Sequence, residues 1–174
     1  MTGGGAAAFR RTMASLAGGV TVVSCRRDGT DHAMTATAVT SVSLDPPLLL
    51  LCVSRTARFW GAITAADFWA VSILDVRAQP HAAWLATKGR PLSGQLDAVP
   101  HRRSPQGCAW LEQSLAWVEC RTSTQTRAGD HDIIVGEVVA AEQAPGAGSP
   151  LVYWRSRYRA ASEPVSDSTG ERYS

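Results

Sequence analysis

A chain of 174 residues, 45% of them apolar, is long enough for one globular domain with its own core. Its 17 basic and 15 acidic residues leave a net charge of +2 with Arg spread along the chain. Nucleic-acid binding therefore lacks the basic face or stripe it usually needs, although a small anion site needs only one or two Arg.

No apolar run approaches the roughly 18 residues of a membrane span, and MTGGGAAAFRR lacks the charged start and apolar core of a signal peptide. The expectation is a soluble, cytoplasmic protein. Cys25, Cys52, Cys108 and Cys120 show no CxxC spacing, and three lie in apolar, strand-like runs. They read as buried structural thiols rather than as disulfides or a zinc site.

In chain order, residues 6–16 have helical composition, with Phe9, Met13 and Leu16 on one face. Gly18-Gly19 is expected to cap that helix. A β-branched strand follows over 20–25, and Asp28-Gly29 is a hairpin turn signal that returns the chain. Residues 37–44 form the next strand. Asp45-Pro46-Pro47 must mark a turn or a strand start, because a Pro pair cannot sit inside a central strand. Residues 48–53 are strongly apolar and read as a buried strand.

A short helix is expected over 57–66, and then a strand over 68–74 that is apolar on both faces. A second short helix over 79–88 carries Trp84 and stops at Gly89 and Pro91. The pattern weakens over 94–107, where Pro100 and Pro105 predict a long surface loop. Strands follow within 110–126 and over 133–140, joined by a turn at Gly129-Asp130. After a loop over 144–149, one last strand is expected over 151–158. Its alternation would place Tyr153, Arg155 and Arg157 on one face, and Trp154, Ser156 and Tyr158 on the other. The domain is expected to span 1–160, and the polar ending 161–174 to be a disordered tail.

Many short strands with a few short helices predict a mainly β fold, a β-barrel with helical decoration. No GxGxxG, GxSxG or P-loop string occurs, so a nucleotide-like ligand would need another architecture.

Three stretches can carry chemistry. The first is HAMTATAVTSVSLDPPLLLLCV over 32–53, rich in short hydroxyls at Thr35, Thr37, Thr40, Ser41 and Ser43. Small hydroxyls on an extended backbone can meet the polar edge of a planar ligand, yet Thr/Ser-rich strands are also ordinary packing elements. Directly after it, Ser54-Arg55-Thr56-Ala57-Arg58 opens the short helix with hydroxyls, guanidiniums and free N–H groups, which suits a phosphate. Taken alone, a solvated turn is the plainer account of it. The second is Gly129-Asp130-His131-Asp132, where His131 starts a strand and could donate to a carboxamide or meet a ring. An exposed acidic turn is the plainer account. A metal site there is disfavoured, because neighbours on a strand alternate faces. His32, His81 and His101 read as surface or packing residues. The third is the aromatic and cationic run 153–158, either a cofactor wall or a terminal strand closing the barrel.

Assembled, five pieces in order over about 9–158 resemble the short-chain flavin reductase family, whose flavin reductase-like FMN-binding domain is a split β-barrel. They are FRRTMASLAGGVTVV, the hydroxyl stretch with its SVSLDPP string, DFWAVSIL with Ser72 where Asn is usual, AWVECRTSTQTRAGDHDIIVGEV with its GDH turn, and PLVYWRSRYR. The resemblance implies a protein that binds FMN or FAD and reduces it with NADH or NADPH. The reduced flavin would pass to a separate oxygenase, and the protein would be a homodimer with flavin near the subunit interface.

By the same resemblance, Thr35, Ala36, Thr37, Ser41, Val42 and Ser43 would line the flavin ring and ribityl chain. Ser54, Arg55, Thr56 and Arg58 would lie near the phosphate, and His131 would face the nicotinamide or flavin. The family's K-F-x-G-like stretch appears only as KGRPLSG, which adds Lys88, Arg90 and Ser93 as ligand contacts. Cys52, Asp130 and Tyr158 complete the expected set, and no metal is expected. Two alternatives stand beside the reductase: a flavin-binding accessory protein without reductase activity, and a flavin-dependent oxidase on the same barrel.

Overall fold

The computed structural model describes residues 3–146 and 148–161, so the expected tail lies, beyond Ala161, outside the described residues. The chain opens with α1 (Gly3–Met13). Gly18-Gly19 is not its cap, contrary to the sequence-based expectation. The last helical turns close on the carbonyls of Arg10, Thr12 and Met13, and the two glycines instead form strand β1 (Gly18–Gly19). Gly18 passes close to Thr37 there, and a Cβ on it would stand 3.3 Å from the threonine Cβ, a tight contact.

The main sheet is built from β2 (Thr21–Arg27), β3 (Thr30–Ala36), β4 (Val39–Leu44), β5 (Pro47–Ser54) and β6 (Phe68–Leu74). The long strands β9 (Ser114–Ala128) and β10 (His131–Gln143) complete it. Its order is β3-β2-β6-β9-β10-β5-β4, and every neighbouring pair is antiparallel. Among the described residues no ladder joins β3 to β4, and the fold is mainly β, as expected.

The Asp28-Gly29 turn between β2 and β3 has φ of 49° and 76°. These are the values of the tight hairpin that follows the right-handed strand twist, which is why Asp-Gly predicts it. Helices α2 (Trp60–Ile63) and α3 (Gln79–Ala86) are shorter than expected, but both lie within the predicted segments.

β2 is buried on both faces and divides the interior. Val23 and Cys25 pack with Leu51, Val53, Ile63, Trp69 and Ile134 under α2. Val20 and Val22 pack on the opposite side with Leu74, Leu85 and Leu111, beneath α3. A period-2 strand that is apolar throughout is suited to serve two cores. β6 behaves likewise, and its Ser72 accepts the Leu111 N–H at 3.0 Å.

Two further expectations are corrected. Residues 94–107 are not simply a surface loop, because Gln95, Leu96 and Val99 are buried. Within the segment β7 (His101–Arg103) pairs with β8 (Ala109–Leu111). The single strand expected over 151–158 is a hairpin of β11 (Leu151–Trp154) and β12 (Arg157–Ala160). Its turn places Arg155 and Ser156 at φ of 47° and 60°, a conformation with no Gly or Asn to announce it. The predicted alternation therefore fails. Tyr153 and Tyr158 sit opposite one another, with ring centres 5.3 Å apart edge to face.

Candidate functional site

A cavity of about 570 Å³ opens between β3, the loop that leaves β5, and the segment that follows α3. From β3 it is lined by His32, Ala33, Met34 and Thr35, and from the loop by Ser54, Thr56, Ala57, Arg58 and Phe59. Beyond α3 come Thr87, Lys88, Gly89, Arg90, Leu92 and Gln95. A smaller hollow of about 190 Å³ adjoins it through the shared Thr35 and Ala86, and adds Val20, Ala36, Thr37, Tyr153 and Tyr158.

Charge in the larger cavity is one-sided. Arg58, Lys88 and Arg90 line it, and no carboxylate does so among the described residues. Arg90 is held by the Ala33 carbonyl at 2.6 Å, the Thr87 carbonyl at 3.0 Å and Gln95 Oε1 at 3.2 Å. Its Nε is buried without a partner. Burial, and then the nearby Arg58 cation, push its pKa below the usual guanidinium range. An orphaned donor beside like charges is a site that gains from an anion. Gln95 is itself anchored, donating to the carbonyls of Asp31 at 3.0 Å and Leu92 at 3.2 Å.

The loop after β5 is shaped by its own hydroxyls. Ser54 Oγ lies 3.0 Å from Thr56 Oγ1, and the Ala57 N–H donates to the Ser54 carbonyl at 2.9 Å. Ser54, Thr56 and Arg58 line the cavity, whereas Arg55 turns away from it. Its Nη1 donates to both oxygens of buried Asp132, at 2.9 and 3.3 Å. The Arg55 guanidinium also lies 4.9 Å from the centre of the Trp60 ring.

The smaller hollow is apolar and aromatic. Thr35 donates its hydroxyl to the Ala82 carbonyl at 2.7 Å, which ties β3 to α3 and leaves the oxygen lone pairs as acceptors. Burial, and then the neighbouring Tyr153, raise the pKa of the Tyr158 phenol.

The expected contacts thus divide between the two spaces and positions outside them. Thr35, Ser54, Thr56, Arg58, Lys88 and Arg90 meet in the larger cavity, and Ala36, Thr37 and Tyr158 in the adjoining hollow. Ser41, Val42 and Ser43 stand apart on β4, the end strand of the sheet. Cys52 lies half-buried on β5 opposite Ile133, and Ser93 is exposed beyond α3. Asp130 and His131 close the β9–β10 turn, which Gly129 makes possible at φ +65°. Asp130 Oδ1 lies 2.8 Å from His131 Nδ1, and this hydrogen bond holds the carboxyl below its ordinary pKa. His131 pairs with Ser54 across the β5–β10 ladder, next to the cavity but outside its lining.

Tyr153, from the aromatic run, lines the smaller hollow, and His32, Met34, Phe59 and Gln95, which were not among the expected contacts, line the larger cavity. Of those four, only His32 and Met34 had a signal, since they share the hydroxyl-rich stretch. No group of three or more His, Cys, Asp or Glu among the described residues is placed to hold a metal ion. No helix among them is long and apolar enough to cross a membrane.

The profile of the flavin reductase like domain matches residues 13–162, and the chain belongs to this family. The stachydrine N-demethylase reductase subunit Stc3 of Rhizobium meliloti (strain 1021) is 38% identical over 89% of this chain and 66% of its own length. The NADH-dependent FMN reductase AsuE2 of Streptomyces nodosus subsp. asukaensis is 34% identical over 90% of this chain and 85% of its own. Among solved structures, BorF, the flavin reductase component of a bacterial two-component tryptophan halogenase, superposes with a TM-score of 0.85 at 35% identity. That likeness covers 91% of this chain and 99% of BorF. Some relatives are longer: the chain spans 66% of Stc3 and 47% of a probable flavin reductase from the same organism.

Proposed function

We propose that this protein is an NAD(P)H-dependent flavin reductase that takes FMN or FAD and supplies the reduced flavin to a separate oxygenase. One observation carries the reading: among the described residues a cavity lined by Arg58, Lys88 and Arg90 and by no carboxylate runs into an apolar, tyrosine-lined hollow. A ligand with an anionic end and a flat aromatic end fits that polarity. The orphaned Arg90 Nε supports the anionic half of the match. The relatives are consistent with it, since AsuE2 is named an NADH-dependent FMN reductase and BorF the flavin reductase component of a two-component tryptophan halogenase.

When bound, the flavin supplies the redox chemistry by accepting a hydride from the nicotinamide ring. The protein's own task is binding and orientation. Ser54, Thr56, Arg58 and Lys88 hold the phosphate side, where charge-assisted hydrogen bonds are strongest. Ala36 and Thr37 admit a flat ring at close range because their side chains are short. Tyr153 and Tyr158 wall the hollow and keep water from its far side. His131, steadied by Asp130 Oδ1 at 2.8 Å, stands at the cavity edge where a second nucleotide would enter. Its role is to align the nicotinamide, and holding two reactants in line is the largest contribution such a site can make.

A homodimer accompanies this reading. Phe9 and Met13 on α1 and Leu16 just beyond it are exposed, and Val42 and Leu44 on end strand β4 are 50% and 90% exposed. Apolar surface of this kind is what a second copy covers. In that arrangement Ser41 and Ser43 would lie at the subunit boundary. Four free cysteines suit a reducing cytoplasm.

The test mixes purified protein with FMN or FAD and NADH or NADPH, and follows the nicotinamide absorbance. Flavin-dependent loss of reduced nicotinamide is expected. Flavin binding without that loss overturns the reductase reading in favour of a binding module, and loss only after adding an organic substrate favours an oxidase. Sedimentation should give twice the chain mass, and a monomer overturns the dimer.

A further inference from the structure

We propose that Asp132 is a positioning residue for the anion loop 54–58, acting through Arg55 and Trp60 without touching the ligand. The inference rests on the reading of that loop as the phosphate side of the flavin site.

The loop is fastened at both ends to one carboxylate. At its start, Arg55 Nη1 donates to both Asp132 oxygens at 2.9 and 3.3 Å. At its far end, the Trp60 indole Nε1 donates to Asp132 Oδ2 at 2.7 Å. Gln125 Nε2, from β9, reaches the same oxygen at 3.0 Å and sets the rotation of the carboxylate. A fourth tie is backbone, the Arg55 N–H to the Asp130 carbonyl at 3.0 Å. Asp132 is 1% exposed, and the Trp60 indole, with Arg55 and Gln125 behind it, holds the carboxyl below its ordinary pKa. It therefore stays ionised near neutral pH.

The consequence is a division of labour within Ser54-Arg55-Thr56-Ala57-Arg58. Arg55 neutralises the buried carboxylate and leaves the cavity lining, while Ser54, Thr56 and Arg58 line it. A buried charge whose donors come from three separate elements fixes their relative placement, because each donor lost leaves it under-compensated. The local sequence cannot impose this, since α2 is a single turn and Ala57 offers no side-chain tie.

The experiment compares Asp132→Asn with wild type, using FMN and riboflavin as alternative substrates. Riboflavin lacks the phosphate, so it reports everything except the loop's charge contacts. A displaced charge-assisted contact should lower kcat/KM for FMN by roughly tenfold, through KM, and change riboflavin less than about twofold. Arg58→Ala serves as the control and should collapse the preference for FMN. If Asp132→Asn lowers both flavins equally, or leaves FMN unchanged or improved because Arg55 is freed, the positioning role is overturned. If Arg58→Ala itself leaves the preference intact, the phosphate reading of the loop fails and the inference falls with it. Should Asp132→Asn not fold, Trp60→Phe removes one donor to the same carboxylate and keeps the ring. A loss confined to FMN then supports the role, and an equal loss on both flavins overturns it.

Discussion

Ser54 and His131 are paired directly across the β5–β10 ladder, so their side chains share one face of the sheet. Ser54 lines the large cavity, and His131 stands beside it with Nδ1 2.8 Å from Asp130 Oδ1. The residue expected to bind the phosphate side and the one expected to meet the nicotinamide are thus neighbours in space, although 77 positions separate them in sequence. His131→Ala should lower kcat/KM for the nicotinamide by roughly tenfold to a hundredfold, the cost of a misaligned reactant. Flavin affinity, measured by fluorescence titration, should be unchanged. Undiminished nicotinamide turnover removes His131 from the mechanism.

Lys88 faces the cavity from beyond α3 and is exposed. Its attraction for an anion is therefore screened by salt, with a Debye length of about 10 Å at 0.1 M. FMN affinity should fall as ionic strength rises, and Lys88→Ala should weaken binding and flatten that dependence. Titrations of wild type and variant across a salt series check this. A salt-independent wild type contradicts it.

Gly136 on β10 has no room for a side chain. A Cβ there would lie 2.7 Å from the Cβ of Cys120 and 2.8 Å from the Trp69 ring, and Trp69 is fully buried. Gly136→Ala should destabilise the fold by about 1–3 kcal/mol, the usual result of overpacking a core. Denaturant unfolding measures it, and a change within experimental error shows that the core yields there.

Burial raises the thiols of Cys25, Cys108 and Cys120 to about 12, with Cys108 and then Asp31 adding at Cys25, and Glu119 adding at Cys108 and Cys120. Thiolate is the reactive form, so an aromatic disulfide reagent at about pH 8 should label no more than one thiol per native chain. That thiol should be Cys52, the half-buried one. All four should react after denaturation, and labelling of two or more in the native state contradicts the prediction.

Asp132 gives stability a defined pH dependence. Its folded pKa is depressed, so its contribution is fully present above the unfolded carboxyl value of about 3.9 and is lost as pH falls through the lower folded value. Asp132→Asn should be less stable than wild type near neutral pH, and the gap should narrow in acid below about pH 4. Thermal melting between those conditions tests the sign. A constant or widening gap overturns it.

Much of the cavity lining was legible from local chemistry. Thr35 of β3, Ser54, Thr56 and Arg58 of the loop after β5, and Lys88 with Arg90 stand out by residue type and order, and they line one cavity. The parts that were not legible share a cause. The strand order, with Thr35 on β3 at one end and Ser41 and Ser43 on β4 at the other, is decided by pairings between distant segments. Gln95 came from a Pro-rich stretch that looked like surface, and its burial depends on the Arg90 and Asp31 groups it meets there.

By itself, the sequence determined the hairpin at Asp28-Gly29, the two-faced apolar strands, the turn at Gly129 and the family to which the chain belongs. The structural features rest on backbone preference or side-chain alternation, which act within a few residues, and the family on motifs in a fixed order along the chain. Only the tertiary structure decided that Arg55 points at Asp132 rather than into the cavity, and that Tyr153 meets Tyr158 across a hairpin. The reason is physical: a side chain's direction on a loop is settled by which buried group needs its charge, and that group lies 77 residues away.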